Sequence, residues 1–177
     1  MDNQNLKLDN TTVLDRKEIE PQHIISVSKF IILSVLTFGI YEVWWMYKAW
    51  KFFKQRDMDD STPAARAIFW IFFLTPLLED IKKFAKENNY TKSYPSTKLS
   101  IGFFVFTIAA RLPDPYWLIS IFSFMFLIPA FTAFNHARIN SPNIESINQS
   151  SFSGKQFILI VIGAICWLLV LSVLLKG

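Results

Sequence analysis

Apolar residues in this chain fall into five runs separated by polar, charge-rich intervals, at residues 30–47, 64–78, 99–112, 115–134 and 157–175. The first run holds eighteen residues and a single charge, Glu42. Wound as a helix at about 1.5 Å per residue it measures about 27 Å, close to the roughly 30 Å hydrocarbon thickness of a bilayer. The second has only twelve strongly apolar residues, 67–78, and is interrupted by Pro76. The third is also short and ends at Arg111, and the fourth is expected to kink near Pro129. The fifth is the least ambiguous span.

The intervals carry helix signals of their own. After Tyr47, Met46, Ala49, Trp50 and Phe53 share one stripe while Lys48, Lys51 and Lys54 share another. Such a helix end lies along the head-group layer, aromatics inward and lysines toward phosphate. A second amphipathic stretch sets Leu77, Leu78, Ile81, Phe84 and Ala85 opposite Glu79, Asp80, Lys82, Lys83 and Lys86, and Asn88 and Asn89 are placed to end it. Ser61-Thr62-Pro63 offers a cap followed by proline at a first helical position, and Pro113-Asp114-Pro115 repeats that arrangement. The pattern predicts an all-α, polytopic helical membrane protein: five apolar segments, some short or re-entrant, with amphipathic interfacial helices. Residues 1–25 read as a polar, disordered tail without the basic start and apolar core of a signal peptide, and residues 26–177 as one membrane domain.

Composition agrees. The chain is 52% hydrophobic with 18 Phe in 177 residues and a mean hydropathy of +0.31, well beyond a soluble domain's average. The net charge of +4 does not form a separate basic domain, so anionic lipid head groups are a simpler partner than nucleic acid. One cysteine, Cys166, excludes a disulfide framework and a cysteine-based metal site. Topology follows from where Lys and Arg fall, because cytoplasmic loops collect them. If all five segments cross, with the N-terminus inside, the eighteen divide 11 to 7. If the first two segments dip in and return, with bends at Gly39 and Pro76, they divide 16 to 2, which fits the rule best.

Thr37-Phe38-Gly39-Ile40-Tyr41-Glu42, continuing through Trp45-Met46-Tyr47-Lys48-Ala49-Trp50, and the later Leu112-Pro113-Asp114-Pro115-Tyr116-Trp117-Leu118-Ile119-Ser120 resemble a family of small, uncharacterised bacterial multi-spanning membrane proteins. The resemblance covers about residues 29–140. It implies a multi-pass protein of the bacterial inner membrane and carries over no activity, cofactor or site residue.

The chemistry therefore rests on charges at membrane depth, which are costly and often functional. Glu42 is the deepest, with Arg66 and Arg111 as candidate countercharges; the alternatives are a structural ion pair, a proton or cation site, or a snorkelled surface position. Tyr41, Trp44, Trp45, Tyr47 and Trp50 form an aromatic cluster suited to interfacial anchoring or to a lipid pocket, with Lys48 and Lys51 facing phosphate. Asn135, His136 and Arg138 close the fourth segment, where they cap its carbonyls or hold a head group. No H-E-x-x-H, G-x-S-x-G or phosphate loop is present. The expected function is a non-enzymatic accessory or scaffold protein that binds a membrane partner, another copy of itself or anionic lipid, without metal or cofactor. The alternative is a homo-oligomeric transporter or channel built on Glu42.

Overall fold

The computed structural model describes residues 19–57, 60 and 62–175. The first apolar run is not one helix. Helix α1 (Val27–Leu36) starts at Ser26, whose hydroxyl accepts the Lys29 amide, and stops at Thr37. Phe38 and Gly39 then both take positive φ, 51° and 85°, a left-handed pair that no helix continues through. Helix α2 (Ile40–Asp57) leaves in the reverse direction, so that Phe30 faces Tyr41 and Trp45 at 6.2 and 5.8 Å between ring centroids. Thr37 clasps the hairpin: its hydroxyl donates to the Leu33 carbonyl at 2.7 Å and accepts the Tyr41 amide at 3.0 Å. The bend expected at Gly39 is therefore present.

The second run bends elsewhere than expected. Helix α3 (Pro63–Ile68) begins with proline in its first turn after Thr62 and breaks at Phe69, and α4 (Trp70–Glu87) continues uninterrupted past Pro76. The α3–α4 corner leaves Ile68, Phe69, Ile71 and Phe72 exposed, an apolar tip. Further along, α4 buries Leu74, Leu77, Leu78, Ile81, Phe84 and Ala85, the stripe its amphipathic pattern predicts, and it ends at Asn88 with Asn89 at φ 62°.

Helix α5 (Ser96–Ile108) tightens into a 3₁₀ turn at Ala109–Arg111. After the proline turn a 3₁₀ helix, Tyr116–Phe126, passes at Leu127 into α6 (Ile128–Asn140), which carries Pro129 in its first turn. Gly102 of α5 lies directly under the Phe126 ring. Strand β1 (Gln22–Ile24) pairs in parallel with β2 (Ser146–Asn148), Gln22 opposite Ser146, so the ordered fold begins ahead of residue 26. The first eighteen residues of the expected tail, and the cap candidate Ser61, lie outside the described residues. Two strands alone are marginal, and Lys29 reinforces them by donating to the Gln149 and Ser150 carbonyls at 2.6 Å each.

Helix α7 (Gly154–Leu174) is almost entirely apolar beyond its first turn, and Gly163 is its one buried residue. Five apolar spans are not borne out. Among the described residues two helical stretches are long and apolar enough to cross a membrane, Tyr116–Asn140 with 25 residues and α7 with 21. The first segment fails because its left-handed corner halves it, the second because it breaks at Phe69, and the third because α5 stops after thirteen residues. The core joins α1, α2, α4 and α6 through aromatic rings, with Phe30 stacked on Phe131 at 4.4 Å and Phe53 on Phe134 at 5.8 Å.

Candidate functional site: a cationic and aromatic cavity

Positions 41, 44, 45, 48, 51, 52 and 55 share one face of α2, and that face lines a partly open cavity of about 870 Å³. Opposite stand Phe131 and, two turns on, Arg138 of α6. The rim comes from residues 20–23, from β2 and the loop after it, and from the first turn of α7, with Lys155 and Gln156. That turn is closed by a capping box in which the Ser153 hydroxyl accepts the Gln156 amide and the Gln156 side chain accepts the Ser153 amide. Gln156 also donates to the Tyr41 hydroxyl at 3.2 Å, which ties α7 to α2 across the cavity wall.

Arg138 is the unusual group. Its guanidinium lies 4.1 Å above the Phe134 ring and donates through one Nη to Asn135, whose amide in turn donates to the Ile25 carbonyl at 2.9 Å. The residue is only 7% exposed, yet its Nε has no partner. Trp45 lines the same cavity with its indole N–H also buried and unpartnered. A buried donor left open costs about 1–3 kcal/mol, so two such groups among the residues of one cavity wall set this region apart from the rest of the core.

Cations dominate the rim. Lys51 pairs with Glu20 at 2.8 Å, and that hydrogen bond holds the Glu20 carboxyl below its ordinary range. Lys48, 5.4 Å above the Trp44 ring, is pulled below the usual lysine range first by burial and then by repulsion from Lys51. Glu20 thus stands as one carboxylate among Arg138, Lys48, Lys51 and Lys155. Positive and aromatic groups around an apolar floor suit an anion attached to a hydrocarbon body. Among the described residues no three His, Cys, Asp or Glu side chains converge as metal ligands.

Glu42 sits apart from this cavity, near the hairpin corner. It is 1% exposed, and both carboxyl oxygens lie within hydrogen-bond distance of the Ser123 hydroxyl, at 2.9 and 3.2 Å. Neither expected countercharge is beside it. Arg66 lies over the Trp50 ring at 4.5 Å and over Phe73 at 5.8 Å, and Arg111 is exposed at the end of α5.

A family model described as a domain of unknown function, DUF4234, matches residues 25–174. The chain belongs to that family. Comparison with curated proteins and with solved structures finds no match. The DUF4234 match runs beyond the two motifs noted in the sequence, from β1's exit to the end of α7.

Within the DUF4234 domain the cavity gathers Tyr41, Trp44, Trp45, Lys48, Lys51 and Arg138 from the ten aromatic, basic and polar residues singled out by sequence. Asn135 supports Arg138 from behind. Three lie elsewhere: Tyr47 packs on Trp44, Trp50 carries Arg66, and His136 stacks on Tyr90 at 5.1 Å. Sequence reasoning missed Glu20, Lys155, Gln156 and Ser123. The Ser153-x-x-Gln156 capping pattern ahead of an apolar run could have flagged the α7 turn. Ser123, a lone hydroxyl in an apolar stretch, gives no such signal.

Proposed function

We propose that this protein is a non-enzymatic integral membrane protein of the bacterial inner membrane, an accessory or scaffold subunit whose cavity binds anionic lipid. The observation that carries this reading is the lining of the cavity, where the buried Arg138 and the rim lysines Lys48, Lys51 and Lys155 stand around aromatic and apolar side chains. An acidic head group answers these cations, and the apolar lining receives the start of an acyl chain. Charge placement supports it: the cavity gathers Lys48, Lys51, Arg138 and Lys155, and the cytoplasmic surface is the one that collects Lys and Arg. Anionic lipid is concentrated at that surface.

The test is lipid retention by the purified full chain. Native mass spectra, and thermal midpoints with phosphatidylglycerol or cardiolipin against phosphatidylcholine, report preference and its stabilisation. Arg138→Gln removes a charged hydrogen bond of about 1.5–3 kcal/mol, so anionic-lipid affinity should fall roughly ten- to a hundredfold while phosphatidylcholine is unaffected. Equal retention of both lipids, or a folded Arg138→Gln variant that binds like the wild type, sinks the proposal. The same spectra read the accessory role, since a stoichiometric second protein is its expected signature.

A further inference from the structure

The lipid cavity leaves Glu42 unused, and its surroundings are unusual for a carboxyl group. Its hydrogen-bond partner among the described residues is one hydroxyl, Ser123 of the 3₁₀ helix, shared by both oxygens. A buried carboxylate stays ionised when a cation or several N–H donors answer it. Here the elements around it offer neither. Helix α1 carries one charge, Lys29, committed to the Gln149 and Ser150 carbonyls at the far end of the helix. The 3₁₀ helix has no ionisable side chain except the exposed Tyr116. On α2 the nearest titratable group is Tyr41, bonded to Gln156, and the lysines begin at Lys48. Helix α6 contributes Arg138 and His136, over Phe134 and against Tyr90, and α7 has only Cys166 beyond Lys155. Gly39, where a Cβ would stand 3.7 Å from the carboxyl, puts the group against the left-handed corner of the hairpin.

We propose that Glu42 and Ser123 form a proton-binding site that latches the α1–α2 hairpin to the 3₁₀ helix. In the latched state Glu42 is a neutral acid whose O–H donates to the Ser123 oxygen. Loss of the proton to solvent leaves a carboxylate, and the hydroxyl reverses to donate to it. A hydroxyl serves either state, but a single donor does not solvate a buried charge, so the ionised form draws water or a cation to the corner and loosens it. The ligand is a proton, and its release is coupled to opening of the hairpin from the 3₁₀ helix.

Infrared spectra of the full chain in lipid bilayers test this directly. The expected result is a protonated carboxyl C=O band at neutral pH that disappears in Glu42→Gln, shifts in Ser123→Ala and converts to a carboxylate band at alkaline pH. A hydrophobic carbodiimide should also label Glu42 of the wild type at neutral pH, a measurement that needs no variant to fold. The latch is read by amide hydrogen exchange at residues 37–42: protection, taken relative to the base-catalysed exchange of an unfolded chain at the same pH, should fall as the wild-type band converts and stay constant across the same range in Glu42→Gln. An ionised Glu42 in the folded protein at neutral pH overturns the proposal, and so does exchange at the corner that ignores the titration.

Discussion

Replacing Gly163 by alanine tests how α7 is held. On helix propensity alone the change stabilises, because glycine inside a helix costs about 1 kcal/mol relative to alanine. Packing decides the opposite. A Cβ at Gly163 would stand 2.3 Å from the Leu36 carbonyl oxygen and 2.9 Å from its carbon, backbone atoms at the end of α1 that cannot rotate away. Helix α7 would have to retreat by about 1 Å to restore ordinary contact. That retreat strikes the two interactions flanking the glycine, the Trp167 indole N–H donating to the Val35 carbonyl at 3.1 Å and the Trp167 ring stacked on Phe38 at 4.9 Å. The hydrogen bond is worth about 0.6–1 kcal/mol and the aromatic pair about 0.5–1.5. Net of the propensity gain, with the steric displacement added, Gly163→Ala should destabilise by about 1–3 kcal/mol. Gly154→Ala is the matched control, since it opens the same helix and its Cβ meets nothing within 4 Å. Unfolding in mixed micelles, followed by circular dichroism and tryptophan emission, compares the two. Should Gly163→Ala match the wild type or Gly154→Ala in stability, close approach of the α1 and α7 backbones is not what docks the last helix.

Other outcomes follow from the same geometry. Thr37→Val keeps the shape of the hairpin clasp but leaves the Tyr41 amide without its acceptor, which should cost about 1–3 kcal/mol in the same assay and speed exchange at residues 38–41. Glu20 is held below its unfolded value by Lys51, so its stabilisation is present above the unfolded value, about 4.3, and is lost as the pH falls through the lowered one; protection of the β1 amides, taken relative to intrinsic exchange at each pH, should fall under acid, and Glu20→Gln should abolish that loss. Asp80 is the opposite case: burial, with repulsion from Asp57 second, raises its carboxyl above the ordinary range. Its contribution is complete below about 3.9 and disappears as the pH rises through the raised value, so at neutral pH Asp80→Asn should leave the micelle unfolding midpoint unchanged or slightly higher.

The parts of this fold that were legible in the sequence are those set by neighbours within two turns. The stripe from Leu77 to Ala85 is a helical repeat, Asn88 and Asn89 are helix-ending residues, and Gly39 is a residue that accepts positive φ, so each could be read one residue at a time. The cavity face was legible for the same reason, because Tyr41, Trp44, Trp45, Lys48 and Lys51 recur at helical spacing. Pro76 misled because a proline removes one backbone donor and crowds the preceding turn without having to end a helix, whereas the actual break at Phe69 carries no turn residue at all. Glu42 misled more deeply. Arg66 and Arg111 were reasonable countercharges for a straight eighteen-residue helix that crosses a bilayer. Once the chain turns back at Phe38 and Gly39, depth is no longer proportional to position, and the group that reaches Glu42 is Ser123, 81 residues away on a helix whose apolar sequence hides it. What decides the chemistry at both sites is therefore the corner. It sends α2 back along α1 so that Trp45 meets Phe30 and Phe131, and it leaves Glu42 beside a hydroxyl where a straight helix would have offered it an arginine.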